Sequence, residues 1–190
     1  MIVFIVLVTL LILYIVYENH TRNKELLKYA QTDALTGLYN KETTEQLTDE
    51  LLSEDENKYH ALILDVDCFK QINDIYGHAV GDIVLQKFGK LLKGTFREGD
   101  ILGRIGGDEF GVIMKNIQTK DIAMKKAEEL LAKTQAYKID ELKGNNISIS
   151  IGISTAPQDG DCYMDLYKRA DQALYQAKRS GKARVCNYFS

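Results

Sequence analysis

In the stretch Arg104-Ile105-Gly106-Gly107-Asp108-Glu109-Phe110 two glycines run into two carboxylates. Ile101 and Leu102 lead in, and Phe110, Val112, Ile113 and Met114 lead out, so the segment reads as strand, two-glycine turn, strand. Gly-Gly supplies the positive-φ backbone of a tight hairpin, and without a Cβ it lets a bulky anion such as a triphosphate approach the main chain. Adjacent carboxylates repel each other; a divalent cation relieves that repulsion, and hard oxygen ligands suit Mg²⁺. Taken alone, Gly-Gly-Asp equally fits an ordinary solvated hairpin.

A second acid changes that balance. His60-Ala61-Leu62-Ile63-Leu64 is a short apolar run, read as a strand buried on both faces, and it ends in Asp65-Val66-Asp67. A carboxylate at the end of a central strand, beside a hairpin carrying Asp108, aims two acids at one ion, with the Val66 carbonyl as a further ligand. By itself Asp65 could equally cap the following helix. Next come Lys70 and Asn73, which share a face of a short helix, and across Gly77 come His78 and Asp82 on another. These four polar side chains can line one pocket. An Asn with an Asp reads guanine, whose N1–H and N2 amine are donors that a carboxylate matches and adenine does not present.

Several elements must position these groups. Thr36 and Gly37 make a turn, Asn40 can cap a helix over Lys41 to Leu52, and the polar run Ser53 to Lys58 closes it. Ile122 to Ala136 reads as an amphipathic helix, Ile147 to Ile153 alternates as a strand with one apolar face, and Arg184 to Tyr188 reads as an edge strand. The 190 residues have room for one domain and something small. With 24 basic and 27 acidic side chains the net charge is −3, which carries no electrostatic footprint for nucleic acid. Cys68, Cys162 and Cys186 lack zinc-like pairing and suit reduced thiols.

Ahead of this domain, Ile2 to Tyr17 is apolar and uncharged. It is expected to be a transmembrane helix (residues 1–17) of roughly 25 Å, followed by a juxtamembrane linker helix over 18–31 with Leu26, Leu27 and Ala30 on one side. Arg22, Lys24 and Lys28 would place the rest of the chain on the cytoplasmic side of a single-pass membrane protein. A cleaved signal peptide would want a basic start and a small-residue cleavage site, and the segment has neither. A buried core helix is the remaining alternative.

From Thr32 to Ser190 the chain resembles the GGDEF family of diguanylate cyclases, which condense two GTP into cyclic di-GMP and pyrophosphate. The resemblance rests on Asp33-Ala34-Leu35-Thr36-Gly37-Leu38, Asp65 to Asp74, Gly77 to Asp82, the hairpin, and Ala170 to Lys178. It implies an α/β (α+β sandwich) fold, a central, mostly antiparallel, adenylyl-cyclase-like sheet flanked by helices. It implies Asp65, Val66 and Asp108 as ligands of two Mg²⁺ or Mn²⁺ ions per active site, Asp108 as acceptor of the 3′-hydroxyl proton, and Lys70 as stabiliser of phosphate charge. Asn73, His78 and Asp82 become nucleotide contacts, Asn73 and Asp82 to guanine, and Lys178 and Lys182 a triphosphate clamp. Lys182 replaces the usual arginine, giving up a bidentate grip. Strand alternation separates Asp108, facing the metals, from Glu109, contributing less directly.

One domain holds one GTP, so the resemblance implies a homodimer through the domain and linker helix, with the membrane helix raising effective concentration. Arg97 and Asp100 match the family's inhibitory product-binding site, although the usual second arginine is replaced by lysines such as Lys125 and Lys126. Two other classes stay open: a binding module for GTP or cyclic di-GMP that has lost turnover, and a dimerisation module of a larger assembly.

Overall fold

The computed structural model describes residues 2–54, 59–117 and 119–188. Six helices and five strands alternate along it: α1 (Ile2–Gln31), α2 (Lys41–Glu54), β1 (Tyr59–Val66), α3 (Phe69–Tyr76), α4 (His78–Thr95), β2 (Ile101–Arg104), β3 (Glu109–Met114), α5 (Lys120–Ala136), β4 (Ile149–Ala156), α6 (Tyr163–Arg179) and β5 (Val185–Asn187). The expected capping of α2 is present, with Asn40 Oδ1 accepting from Thr43 N at 2.9 Å. Part of the polar run after α2 lies outside the described residues, as do the side chains of Leu26 and Leu27 on the connector.

The strands form one sheet in the order β2-β3-β1-β4-β5. β1 is antiparallel to both β3 and β4, and β5 runs parallel to β4 at the edge. Every residue of β1 is buried, as its unbroken apolar run predicts. Its side chains alternate between two layers. Leu62, Leu64 and Val66 join Phe88, Phe110, Leu130 and Ile151 beneath α4 and α5, where the Phe88 and Phe110 rings meet edge-on at 4.8 Å. On the opposite face, Ala61 packs with Ile113 and Leu166, and Ile63 with Ile105, Ala170 and Leu174 of α6. Asp65 continues the second series and so points to α6.

β4 differs from its sequence reading. All eight of its residues are buried, so its polar face is covered rather than solvated. The cover is α6: Ser154 Oγ donates to Leu166 O at 2.8 Å, and a Cβ on Gly152 would lie 2.0 Å from Ala170 O and 2.3 Å from Leu174 N. Only glycine lets the helix backbone rest on the strand here, and this contact fixes where the end of α6 reaches.

The apolar N-terminal run and the polar connector form one continuous helix, α1. Among the described residues no helix is long and apolar enough to cross a membrane, which overturns the expected transmembrane segment and the single-pass membrane placement. The apolar run covers roughly 25 Å against a hydrocarbon core of roughly 30 Å, and the next turn brings Glu18, His20 and Arg22.

Candidate active site

Three strands end together at one edge of the sheet. Asp65, at the end of β1, is buried, and Lys178 from the last turn of α6 places its ammonium 2.7 Å from Asp65 Oδ2. Burial pushes the Asp65 carboxyl above its ordinary range, the Lys178 hydrogen bond and charge oppose that rise, and the charges of Asp108 and Glu109 add to it. Lys178 is thus the cation in direct contact with Asp65, at an edge that also carries the charges of Asp108 and Glu109. Asp65 stands directly opposite Glu109 across the ladder, so these two side chains share the α6 face, where burial and the charge of Glu109 push the Tyr167 hydroxyl above its ordinary pKa. Asp108 precedes β3 and belongs to the turn, so strand alternation does not apply to it; its carbonyl accepts from Val66 N at 3.2 Å.

The turn itself differs from the tight two-glycine hairpin. Neither Gly106 nor Gly107 has a positive φ, because the loop runs from Ile105 to Asp108 and is closed by Ile105 N and Gly106 N donating to Glu109 O at 2.9 and 3.3 Å. What glycine provides here is clearance. A Cβ on Gly107 would meet nothing within 4 Å, leaving that face of the backbone open to a ligand, while one on Gly106 would come 3.0 Å from Glu109 Oε2.

Arg104 braces the turn from behind. Its guanidinium donates to Gly107 O at 3.1 and 2.7 Å and to both Asp33 oxygens at 3.2 Å. Burial raises the Asp33 carboxyl, but the Thr36 hydroxyl and amide and the Arg104 guanidinium outweigh it and hold it below the usual range. The entry segment is thereby tied to the hairpin, a connection absent from the sequence reading; an arginine preceding the glycines and an unassigned Asp33 were its only signals.

Across the edge, α3 and α4 meet at Gly77, whose φ of 86° breaks the helix as the sequence indicated. Lys70 is exposed on α3, and His78 and Asp82 are exposed on the first turns of α4. Asn73 is half-buried between the helices, and a Cβ on Gly81 would sit 1.9 Å from its Oδ1, so Gly81 is the seat of the Asn73 carboxamide. Lys182, past the end of α6, donates to Cys68 Sγ at 3.0 Å, just before α3.

Arg97 and Asp100 lie elsewhere, on the turn between α4 and β2. Arg97 Nε donates to Asp100 Oδ1 at 3.2 Å, its guanidinium also donates to Lys115 O, and Asp100 accepts from the backbone amides of Arg97 and Lys115 at 3.2 Å. The pair is shared by two cavities, of about 610 Å³ beside Thr32, Tyr39 and Lys93 and about 470 Å³ beside Lys125 and Lys126. Among the described residues, the one group of acids and thiols within reach of a common ion is Asp161, Cys162 and Asp165 at the start of α6, away from this edge.

Residues 30–184 match the family described as diguanylate cyclase, GGDEF domain, and the chain belongs to that family. It is 37% identical over 177 residues to the response regulator PleD of Caulobacter vibrioides, which covers 89% of this chain and 39% of PleD. It is also 37% identical over 170 residues to diguanylate cyclase A of Treponema denticola, covering 86% of this chain and 46% of that protein. The chain thus spans less than half the length of either relative. The solved coiled coil and GGDEF domain of DgcB from Caulobacter crescentus, in complex with c-di-GMP, superposes with a TM-score of 0.82 at 25% identity, covering 90% of this chain and 93% of that one. The five-stranded, mostly antiparallel sheet flanked by helices is therefore the GGDEF fold.

Proposed function

We propose that this chain is a diguanylate cyclase that condenses two GTP into cyclic di-GMP and two pyrophosphates, acting as a homodimer. The observation that carries the reading is the sheet edge where buried Asp65, paired with Lys178, faces the charges of Asp108 and Glu109. Hard oxygen donors in surplus over cations fit Mg²⁺ or Mn²⁺, with Asp65, Asp108 and the Val66 carbonyl as ligands. Bound there, two ions would supply Lewis acidity at the 3′-hydroxyl and neutralise charge on the departing pyrophosphate.

The chain's own residues do the rest. Asn73, His78 and Asp82 contact the nucleotide, Asn73 and Asp82 at its guanine, Asn73 from its seat on Gly81. Lys70, Lys178 and Lys182 hold the phosphates, and Asp108, on the open side of the turn, accepts the proton of the attacking 3′-hydroxyl. Each site holds one GTP, so the attacking hydroxyl and the α-phosphate that it reaches belong to two copies meeting face to face. The DgcB structure contains cyclic di-GMP; here Arg97 and Asp100 are the residues that would take up the product and slow the enzyme.

Chromatography of products after incubating the chain with GTP and Mg²⁺ tests this reading. Cyclic di-GMP from the wild type and none from Asp108→Ala is the expected result. A second reading, a module that binds GTP or cyclic di-GMP without turnover, is favoured by Lys182, whose ammonium lies on Cys68 and cannot grip a phosphate bidentately. Retained nucleotide binding with no product from the wild type would establish it.

A further inference from the structure

Asp67 stands two residues past Asp65 and is equally buried, yet nothing in the proposed chemistry uses it. Both of its oxygens accept hydrogen bonds. Oδ1 accepts from Ser150 Oγ at 2.7 Å, and Oδ2 accepts from Ser148 Oγ at 2.7 Å and from the amide of Ala183 at 3.2 Å. Its own amide donates to Ser148 O at 2.9 Å. The two hydroxyls fix the carboxylate on β4, and the third bond reaches out to the loop that leaves α6.

That loop has an improbable backbone. Gly181, Lys182 and Ala183 have φ of 110°, 62° and 49°, three left-handed residues in succession, two of which carry a Cβ. L-residues avoid this region, and such a run persists only where its surroundings over-determine it. At its start, Lys182 N donates to Ala177 O at 3.1 Å, and beyond it Ile151 N donates to Arg184 O at 2.9 Å. Between these two ties the Asp67 carboxylate holds Ala183. Lys182 is the residue that this arrangement presents, with its ammonium on Cys68, the neighbour of Asp67.

We propose that Asp67 is the positioning residue of the phosphate clamp: through Ser148, Ser150 and Ala183 it locks the loop after α6 so that Lys182 faces the triphosphate. The proposal rests on the reading above, that Lys182 holds GTP phosphates. It separates the two acids of Asp65-Val66-Asp67, the first toward the metals and the second toward the loop that serves the phosphates.

The test compares the full-length chain with Asp67→Asn, Lys182→Ala and the double variant. Two quantities are read: amide hydrogen exchange at Ala183, and calorimetric affinity for a non-hydrolysable GTP analogue with Mg²⁺. Asp67→Asn is expected to speed Ala183 exchange at least about tenfold and to weaken the analogue about tenfold, the loss of one charge-assisted bond. The double variant should bind no more weakly than Lys182→Ala. Ser148→Ala, which leaves the charge and removes one brace, should shift both quantities in the same direction by less, and it serves if Asp67→Asn does not fold. Unchanged Ala183 exchange in a folded Asp67→Asn or Ser148→Ala overturns the proposal, as do binding losses that simply multiply in the double variant. A wild type that binds no analogue would instead sink the GTP reading, and fast Ala183 exchange would still report Asp67 as the lock of the loop.

Discussion

Two acid–base pairs, Asp65–Lys178 and Arg97–Asp100, differ in kind: the first is joined only by the fold, and the second lies within three residues of the chain. The first joins the end of β1 to the last turn of α6, has a buried carboxylate and a half-buried lysine, and stands beside the further charges of Asp108 and Glu109. The second is a local pair whose Asp is satisfied by neighbouring backbone amides and whose Arg side chain is 56% exposed. A buried carboxylate beside further negative charge is relieved when a cation or a cationic complex arrives, which suits such a place to chemistry. A self-satisfied pair holds its turn together and changes partners only when a ligand offers better ones.

The sharpest way to break this contrast is to neutralise each region in turn. If the proposed roles hold, Asp108→Ala should lower cyclic di-GMP formation by roughly 10³-fold or more, through loss of a proposed ligand and proton acceptor together, whereas Arg97→Ala should leave the initial rate at low product within about threefold and relieve inhibition by added cyclic di-GMP. Comparable loss of initial rate in both variants would erase the distinction.

Lys178→Gln probes the first pair from the other side. Lys178 sits where a metal would reach Asp65, so its removal should tighten Mn²⁺ binding to the nucleotide-free protein several-fold, read by paramagnetic relaxation of water, while GTP affinity falls about tenfold. Weaker Mn²⁺ binding would mean that Lys178 supports the metal site instead of competing with it.

The pH dependence follows from the raised Asp65 carboxyl. Because its folded-state pKa lies above the unfolded one, its ionisation costs stability: the fold is favoured below the ordinary carboxylate pKa and loses that advantage as pH rises through the raised value. Divalent ions bind the ionised form, so thermal stabilisation by Mn²⁺ should grow over that same window, and Asp65→Asn should flatten the profile. A profile unchanged by that substitution would assign the titration elsewhere.

The smallest effect expected is on folding at the second pair. With its arginine largely in solvent, Arg97→Ala should cost no more than about 1 kcal/mol in urea denaturation, and less at high salt. A larger loss would make the Arg97 contact with Lys115 O a structural staple in its own right.

Much of the site could be read along the chain because its signals are local. The unbroken apolar run before Asp65, the Asn40 cap, the break at Gly77 and the spacing of Lys70 with Asn73 and of His78 with Asp82 depend on a few neighbouring residues, and each reappears in the fold. The apolar N-terminal run was misleading for the same reason: hydropathy without enough length looks like a membrane span. The positive φ expected at Gly106 and Gly107 failed because the turn length, a property of where β2 and β3 stop pairing, was unknown.

By itself, then, the sequence determined the elements, the family motifs and the inventory of acids, amides and lysines. Only the tertiary structure decided which of them meet. Antiparallel register set Glu109 opposite Asp65, the bare backbone at Gly152 let α6 settle far enough to bring Lys178 onto Asp65, and the start of β4 with the residue before it carried Ser150 and Ser148 to Asp67. Register and close approach are set by packing between segments distant along the chain, and neither leaves a periodicity in the residues that it joins.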